Sequence, residues 1–332
     1  MSDTRESDLF MTAAETVTLD NFVQAESARY FRAQVANAPV NTYFHNRVPV
    51  SARNQVMNRS AVDLIYSYAV VDVTEQATFS VSASEEFQVD QIIDQHHHTL
   101  AVVYPGQTHT VRRADLSGGT HVYVLGRTST ANGIERAHAL QDARRIEAAT
   151  ANVFIAPDYD EASRQHVGAE LDARAGEIDF SRAFGAPGTT DPFHHLLGTR
   201  LGWGGLPDDH AQFFQAAAIG TGADVWTFPV PPLDYAHSGY FAVIKYDANG
   251  WLDVTWPGFS DRELVRNGDG TISIWFGDSR CVDQQNVIET AEGQHFIYGL
   301  RLYRPADAAE TRRYLEELGT RGLTPADPRR NA

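Results

Sequence analysis

Three consecutive histidines, His96-His97-His98, and a fourth at His109 are the residues whose types and spacing most directly suggest chemistry. His96-x-His98, with His109 following Pro105-Gly106-Gln107-Thr108, would offer imidazoles to a divalent transition metal that needs one carboxylate to complete its ligands. Val102 and Val103 stand where that carboxylate is expected. In an extended run His96 and His98 share one face and His97 points the other way, so at most two neighbouring imidazoles meet one metal. A tight hairpin at Pro105-Gly106 would set Val102, not His98, opposite His109. The alternative is a set of partly exposed or hydrogen-bonded histidines with no metal.

Other polar residues carry two readings each. Arg127 ends a core strand, where it would hold a substrate carboxylate bidentately or pair with a carboxylate at a domain junction. Trp203, framed by Gly202, Gly204 and Gly205, would wall a pocket or plug the seam between the helical insert and the second β domain. Tyr66 and Tyr68 fall on one face of a strand, a pattern for core or interface packing. No Gly-x-Ser-x-Gly elbow, zinc spacing or phosphate loop is present, and Gly220-Thr221-Gly222 precedes a strand instead of opening a helix.

The elements that must position these residues are mainly β. Thr18 to Ala38 has helical spacing (Leu19, Phe22, Val23, Tyr30, Phe31), with Asp20 or Thr18 placed to cap it. Ile65–Val73, Thr78–Ser82, Phe87–Ile93 and the runs around the histidines predict about six short strands, spaced as in a β-sandwich. Helices are expected over Ile134–Thr150, Ala162–Ala175, Asp191–Gly202 and from Asp208 or Asp209 through Ala218. Asp191-Pro192 suits an N-cap followed by proline in the first turn. Strands return at Val225–Val230, Tyr240–Asp247, Trp251–Trp256, Ile272–Phe276 and Phe296–Tyr303, with a closing helix at Ala309–Leu318 and a polar tail. The expected boundaries are a disordered start (1–17), a helical segment and connection (18–56), a β-sandwich (57–130), a helical insert (131–220), a second β domain (221–305) and a short helix with tail (306–332).

The 332 residues, 42% hydrophobic and 21% charged, have the composition of an ordinary soluble protein. Lys and Arg number 27 against 43 Asp and Glu, a formal net charge of −16. Such a surface repels phosphate backbones and anionic lipid, so neither nucleic acid nor membrane is an expected partner. It is also the ordinary charge sign of a soluble bacterial enzyme. One cysteine, Cys281, excludes an internal disulfide. The start has no basic stretch followed by an apolar run, and no segment has the apolar length of a membrane span, so a cytoplasmic location is expected.

Several stretches, taken in order, resemble the paired bacterial families known as domains of unknown function 1254 and 1214. They are Asp20-Asn21-Phe22, Tyr43-Phe44-His45-Asn46-Arg47, Met57-Asn58-Arg59, Tyr66-Ser67, Tyr104-Pro105-Gly106, Arg127-Thr128 and His138-Ala139-Leu140-Gln141-Asp142. His195-Leu196-Leu197-Gly198-Thr199, Gly202-Trp203-Gly204-Gly205 and Arg301-Leu302-Tyr303-Arg304-Pro305 complete the set. The resemblance spans roughly residues 18–305. It implies a helical N-terminal piece, an immunoglobulin-like β-sandwich, a helical insert and a C-terminal jelly roll. His97 and His195 match histidines of the pattern. The pattern's acidic residue, displaced here by Ser60-Ala61-Val62, falls on Asp63, and His97 is followed by His98 where the families have Tyr.

Three functions are open at this point. The first is an enzyme using metal-independent acid/base chemistry, hydrolase- or lyase-like, on a small, anionic or oxygenated organic substrate in a pocket between the β domains. His97, His195 and Asp63 would be catalytic there, with Arg59, Tyr66, Tyr104, Arg127 and Trp203 binding the substrate and no cofactor required. The second is a metal-dependent cupin-like enzyme using His96, His98 and His109. The third is a non-catalytic small-molecule-binding or assembly module, with a homodimer among the oligomeric options.

Overall fold

The structure is a computed structural model that describes residues 14–55, 59–254 and 256–326. Part of the start expected to be disordered, 1–13, lies outside the described residues, as do Met57 and Asn58. Helix α1 (Phe22–Val35) is followed by β1 (Phe44–His45), β2 (Leu64–Asp72), β3 (Gln76–Ser80), β4 (Gln88–Ile93), β5 (Thr99–Val103), β6 (Thr108–Arg112) and β7 (His121–Ser129). Next come α2 (Ile134–Asp142), β8 (Arg145–Ala148), α3 (Glu161–Asp172) and α4 (Pro192–Gly202). The chain continues through β9 (Ala211–Ile219), β10 (Ala223–Phe228), β11 (Tyr240–Asp247), β12 (Gly258–Ser260), β13 (Ile272–Gly277), β14 (Val287–Glu289) and β15 (His295–Tyr303). It closes with α5 (Ala308–Gly319) and β16 (Thr324–Pro325).

The protein is mainly β and multi-domain, as its sequence predicts. In the first sandwich, a five-stranded sheet ordered β1-β2-β7-β4-β5 faces a three-stranded sheet ordered β6-β3-β8. Alternate residues Ala69, Val71, Phe79, Ile92, Val122 and Val124 fill the space between them. The other face of the larger sheet carries Val70, Ile93, Tyr123 and Leu125 against Phe31 of α1. The second sandwich packs sheet β12-β11-β15-β9 on sheet β14-β13-β10-β16 around Trp226, Phe228, Phe241, Val243, Phe276 and Leu300.

Strand β11 shows how the two sandwiches are joined. Phe241 and Val243 face the second core, while Tyr240, Ala242, Ile244 and Tyr246 face Leu64, Phe87, Val89 and Tyr104 of the first unit. The seam is therefore a packed apolar layer reading both faces of one strand.

Five expectations change. Residues 211–219 form β9, not a helix: they pair with β15 along their whole length, and Phe214, Ala216 and Ala218 turn inward at period two. Local alanine propensity loses to sheet pairing there. The helix from Ile134 stops at Asp142, because Arg144 turns inward to pair with buried Asp90 and Arg145–Ala148 joins β3. Trp251–Trp256 contains no strand among its described residues, and β12 pairs with β11 instead. Neither Thr18 nor Asp20 caps α1; Asn21 holds that position, its side chain accepting from Thr18 N. Part of the start expected to be disordered is ordered, with Val17 buried and Glu15 bridging to Tyr159; in the polar tail, whose residues 327–332 lie outside the described residues, Thr324–Pro325 pairs with β10.

Candidate functional site at the seam of the two sandwiches

The triple histidine is a hairpin turn, not an extended run. Asp94 organises it, accepting the amide N–H groups of His96 and His98 at 2.9 Å each and that of Ser117 at 3.0 Å. Burial alone would raise the Asp94 pKa, but hydrogen bonds from His98 and Ser117 outweigh it and hold it down to about 2. Pro105-Gly106 carries the chain from β5 in one sheet to β6 in the other, so His109 does not lie opposite β5 at all. Among the described residues, no group of three or more His, Cys, Asp or Glu side chains is placed to hold a metal, so His96, His98 and His109 are not gathered into one site.

His97 and His195 are brought together, their rings 5.4 Å apart. Each is fully engaged. His97, at φ +62°, accepts the Gly204 N–H at 2.8 Å through Nε2. Its proton therefore sits on Nδ1, which donates to Thr199 Oγ1 at 2.7 Å, and Thr199 donates onward to the His195 carbonyl at 2.9 Å. Burial drives its pKa well below the usual histidine value, with His195 adding to the effect. His195 Nδ1 and Nε2 lie 2.8 Å and 2.9 Å from the carbonyls of Ala183 and His96. Its pKa is lowered by burial against the pull of those two carbonyls. Both nitrogens of each ring face groups of the protein, so neither ring presents a nitrogen to a substrate.

Trp203 completes this latch. It stacks on His97 at 5.1 Å and on Tyr30 at 4.1 Å, meets Tyr123 edge-on and donates to Ser27. It fills the gap between α1, α4 and the five-stranded sheet, instead of the expected seam with the second β domain. Gly204, at φ +78°, passes the connection inward: its N–H holds His97 and its carbonyl accepts from Arg127 at 2.6 Å.

Arg127 pairs with no carboxylate of the chain among the described residues, contrary to the expected ion pair at the domain junction. It is buried, and besides Gly204 it donates to Gln91 Oε1 at 2.9 Å. Burial lowers its pKa. Tyr66 lies opposite it in the β2–β7 register and stacks on Tyr68, its hydroxyl pushed up to about 12 by burial. Tyr104 lies further along the seam, where its hydroxyl meets His210 Nδ1 at 3.0 Å and its ring lies under Arg304.

Asp63, at the mouth of β2, is the outstanding group. It is 9% exposed, and both carboxylate oxygens are buried without a hydrogen-bond partner. A buried carboxylate normally has several donors. Tyr240, also buried with an unpartnered hydroxyl, lies close enough to favour the ionised form without making a regular hydrogen bond. Burial raises the Asp63 pKa, with Arg301 and Tyr240 opposing.

Strand register assembles the rest. Tyr240 pairs with Tyr303, their rings stacked at 4.8 Å, and Ala242 pairs with Arg301 in the next row on that face. Arg301 donates to the Tyr303 hydroxyl at 3.1 Å and to the Arg59 carbonyl at 3.1 Å, with its guanidinium over Phe213. Phe213 is 41% exposed and Arg59 is exposed, donating to Gln215, so Arg301 lies next to residues at the surface. Among the described residues none of Arg59, Arg127 and Arg301 makes an ion pair with a carboxylate.

Sequence reasoning reached Asp63, Tyr66, Arg59 and Arg127 but missed Tyr240, Tyr303 and Arg301. The available signal was the Arg301-Leu302-Tyr303 alternation, which puts both polar residues on one strand face.

Asp261 adds a second perturbed carboxyl. Burial pushes its pKa up to about 6, Arg262 and Arg266 oppose, and Asp63 raises it further. Below pH ~4 the folded and unfolded groups are both protonated; between that and about 6 only the folded one holds its proton, so stability falls as pH rises through this window. Asp261→Asn is expected to remove about 1–2 kcal/mol of that fall, read by urea denaturation at pH 4.5 and 7. An unchanged slope would contradict it.

No family model matches the chain, and no curated protein does. Its fold is similar to that of the VPA0106 protein from Vibrio parahaemolyticus, with a TM-score of 0.66 and 16% identity over 88% of this chain and 94% of that one. An uncharacterized protein from Burkholderia cenocepacia is similar at a TM-score of 0.51 and 12% identity, over 87% of this chain and 85% of that one. At these identities the likeness concerns the fold alone.

Proposed function

We propose that the chain is an enzyme acting on a small, oxygenated or anionic organic molecule at the seam, by metal-independent acid/base chemistry of the hydrolase or lyase type. The observation that carries the reading is Asp63, a buried carboxyl with no hydrogen-bond partner beside an unpartnered Tyr240 hydroxyl. A carboxyl whose pKa is raised by burial keeps its proton to higher pH than an ordinary aspartate and can exchange it with a bound substrate. Arg301 and Arg127, lacking carboxylate partners, are the groups to attract the substrate's oxygens, and Arg59 stands at the exposed edge. In this reading His97, His195 and Trp203 hold the seam's shape and do not react. Kinship with the paired families of unknown function is part of the proposal and rests on the ordered motifs alone.

The test is a panel of small hydroxy, keto and carboxylic acids and their esters, followed by proton NMR for turnover and by thermal shift for binding. Wild type is expected to turn over at least one compound, with Asp63→Asn lowering the rate at least ~100-fold and Arg301→Met raising KM. Turnover that survives Asp63→Asn contradicts the reading. Saturable binding without turnover would make the seam a binding site instead.

A further inference from the structure

A partly polar cavity lies away from Asp63 and Arg301. The histidine turn, the start of α1 and the first turn of α4 enclose an open cavity of about 540 Å³. Its floor is apolar, built from residues such as Val23, Phe193 and Leu196, and its polar walls are Asp20, Gln24, His96 and His98. We propose that this cavity binds a small organic ammonium ion carried on an apolar or aromatic stem.

The argument is the sign of its hydrogen-bonding groups. Gln24 Nε2 lies 3.2 Å from His96 Nδ1, and since an amide NH₂ only donates, that nitrogen accepts. Gln24 Oε1 is left buried with no donor. His98 Nδ1 lies 3.0 Å from Ser117 Oγ and 3.7 Å from the Asp94 carboxylate, which favours the proton on Nδ1 and leaves Nε2 as an acceptor. Nε2 has no hydrogen bond among the described residues. Asp20 supplies a full negative charge at the exposed rim. The lining thus offers a carboxylate and an imidazole lone pair, with an unpaired amide oxygen buried beside them, and these groups accept hydrogen bonds.

The same inventory disfavours an anion. No lysine or arginine lines the cavity. The first α4 amides are already taken: Asp191 Oδ1 accepts from Phe193 and His194, and the Asp191 carbonyl accepts from His195. The stacked pair His98–His195, 4.8 Å apart, supplies a flat surface for an aromatic stem and a π-face for the cation, while Phe193 lines the cavity with one ring face already under the Arg174 guanidinium.

The experiment uses benzylammonium as probe, with benzoate and benzyl alcohol as isosteric controls, titrated at about pH 8 where histidine is neutral. Imidazole proton resonances of the full chain are followed by NMR. Benzylammonium is expected to shift the His98 and His96 signals saturably, with Kd of about 1 mM or tighter, while benzoate leaves them unmoved. Asp20→Asn, an exposed change that spares the core, is expected to weaken binding about fivefold. Gln24→Leu should weaken it further, and Asp63→Asn, in the separate seam, should have no effect. Absence of a saturable benzylammonium shift, equal binding of benzoate, or an affinity unchanged in both cavity variants would overturn the proposal.

Discussion

Asp63→Asn is expected to stabilise the folded protein by about 1–3 kcal/mol at pH 8, an uncommon result for substitution of a buried polar residue. Both Asp63 oxygens are out of water with no donor, so above its folded pKa the wild type carries a charge that the fold does not compensate. The amide is isosteric and uncharged, and its NH₂ can donate to the Tyr240 hydroxyl. The sign with pH follows from linkage. A carboxyl whose folded pKa lies above its unfolded value destabilises the fold once pH exceeds the folded pKa, and costs nothing when both states are protonated. The gain should therefore be largest at pH 8 and fade toward pH 4. Urea denaturation of both proteins at the two pH values measures it. A loss of stability at pH 8 would mean that Asp63 is an ordinary satisfied carboxylate.

His97→Ala is expected to cost about 3–5 kcal/mol, an effect on the fold and not on a reaction step. Removing the ring strands the buried Gly204 N–H and the Thr199 hydroxyl and opens a void against Trp203 and Phe184. Gly204 would then loosen its hold on Arg127, so the loss should spread to the seam. Near-ultraviolet circular dichroism should report it, because Trp203 loses its stacking partner. A variant within about 1 kcal/mol of wild type would show that the latch carries little of the stability.

Much of this arrangement is legible in the sequence, and the illegible parts have physical causes. Runs rich in Val, Ile and Tyr, such as Ile65–Val73 and Tyr240–Asp247, declare their strands through composition, and β2 and β11 lie there. The Asp191-Pro192 start of α4 is equally readable, since Asp191 caps the Phe193 and His194 amides where the sequence places it. Residues 211–219 mislead because Phe213 and Phe214 beside three alanines satisfy helical and extended patterns alike, and only the pairing with Phe296 to Tyr303 decides. The histidine run misleads for a different reason. Asp94 closes a turn by accepting amides two and four residues on, so the period-two argument for His96 and His98 has no strand to act on. Asp63 and Arg301, 238 positions apart, meet only through tertiary structure, and no local pattern joins them.

The proposed site requires Asp63 to be a carboxyl with a raised pKa and no hydrogen-bond partner in the fold. Its side-chain carboxyl ¹³C resonance, followed across pH 2 to 9 in wild type and in Arg301→Met, tests that claim most directly. The expected result is a midpoint above the ordinary aspartate value of about 3.9, moving higher still when the opposing guanidinium is removed. A midpoint at or below that ordinary value, unmoved by Arg301→Met, would identify a conventionally paired carboxylate and remove the chemical basis of the proposed seam site.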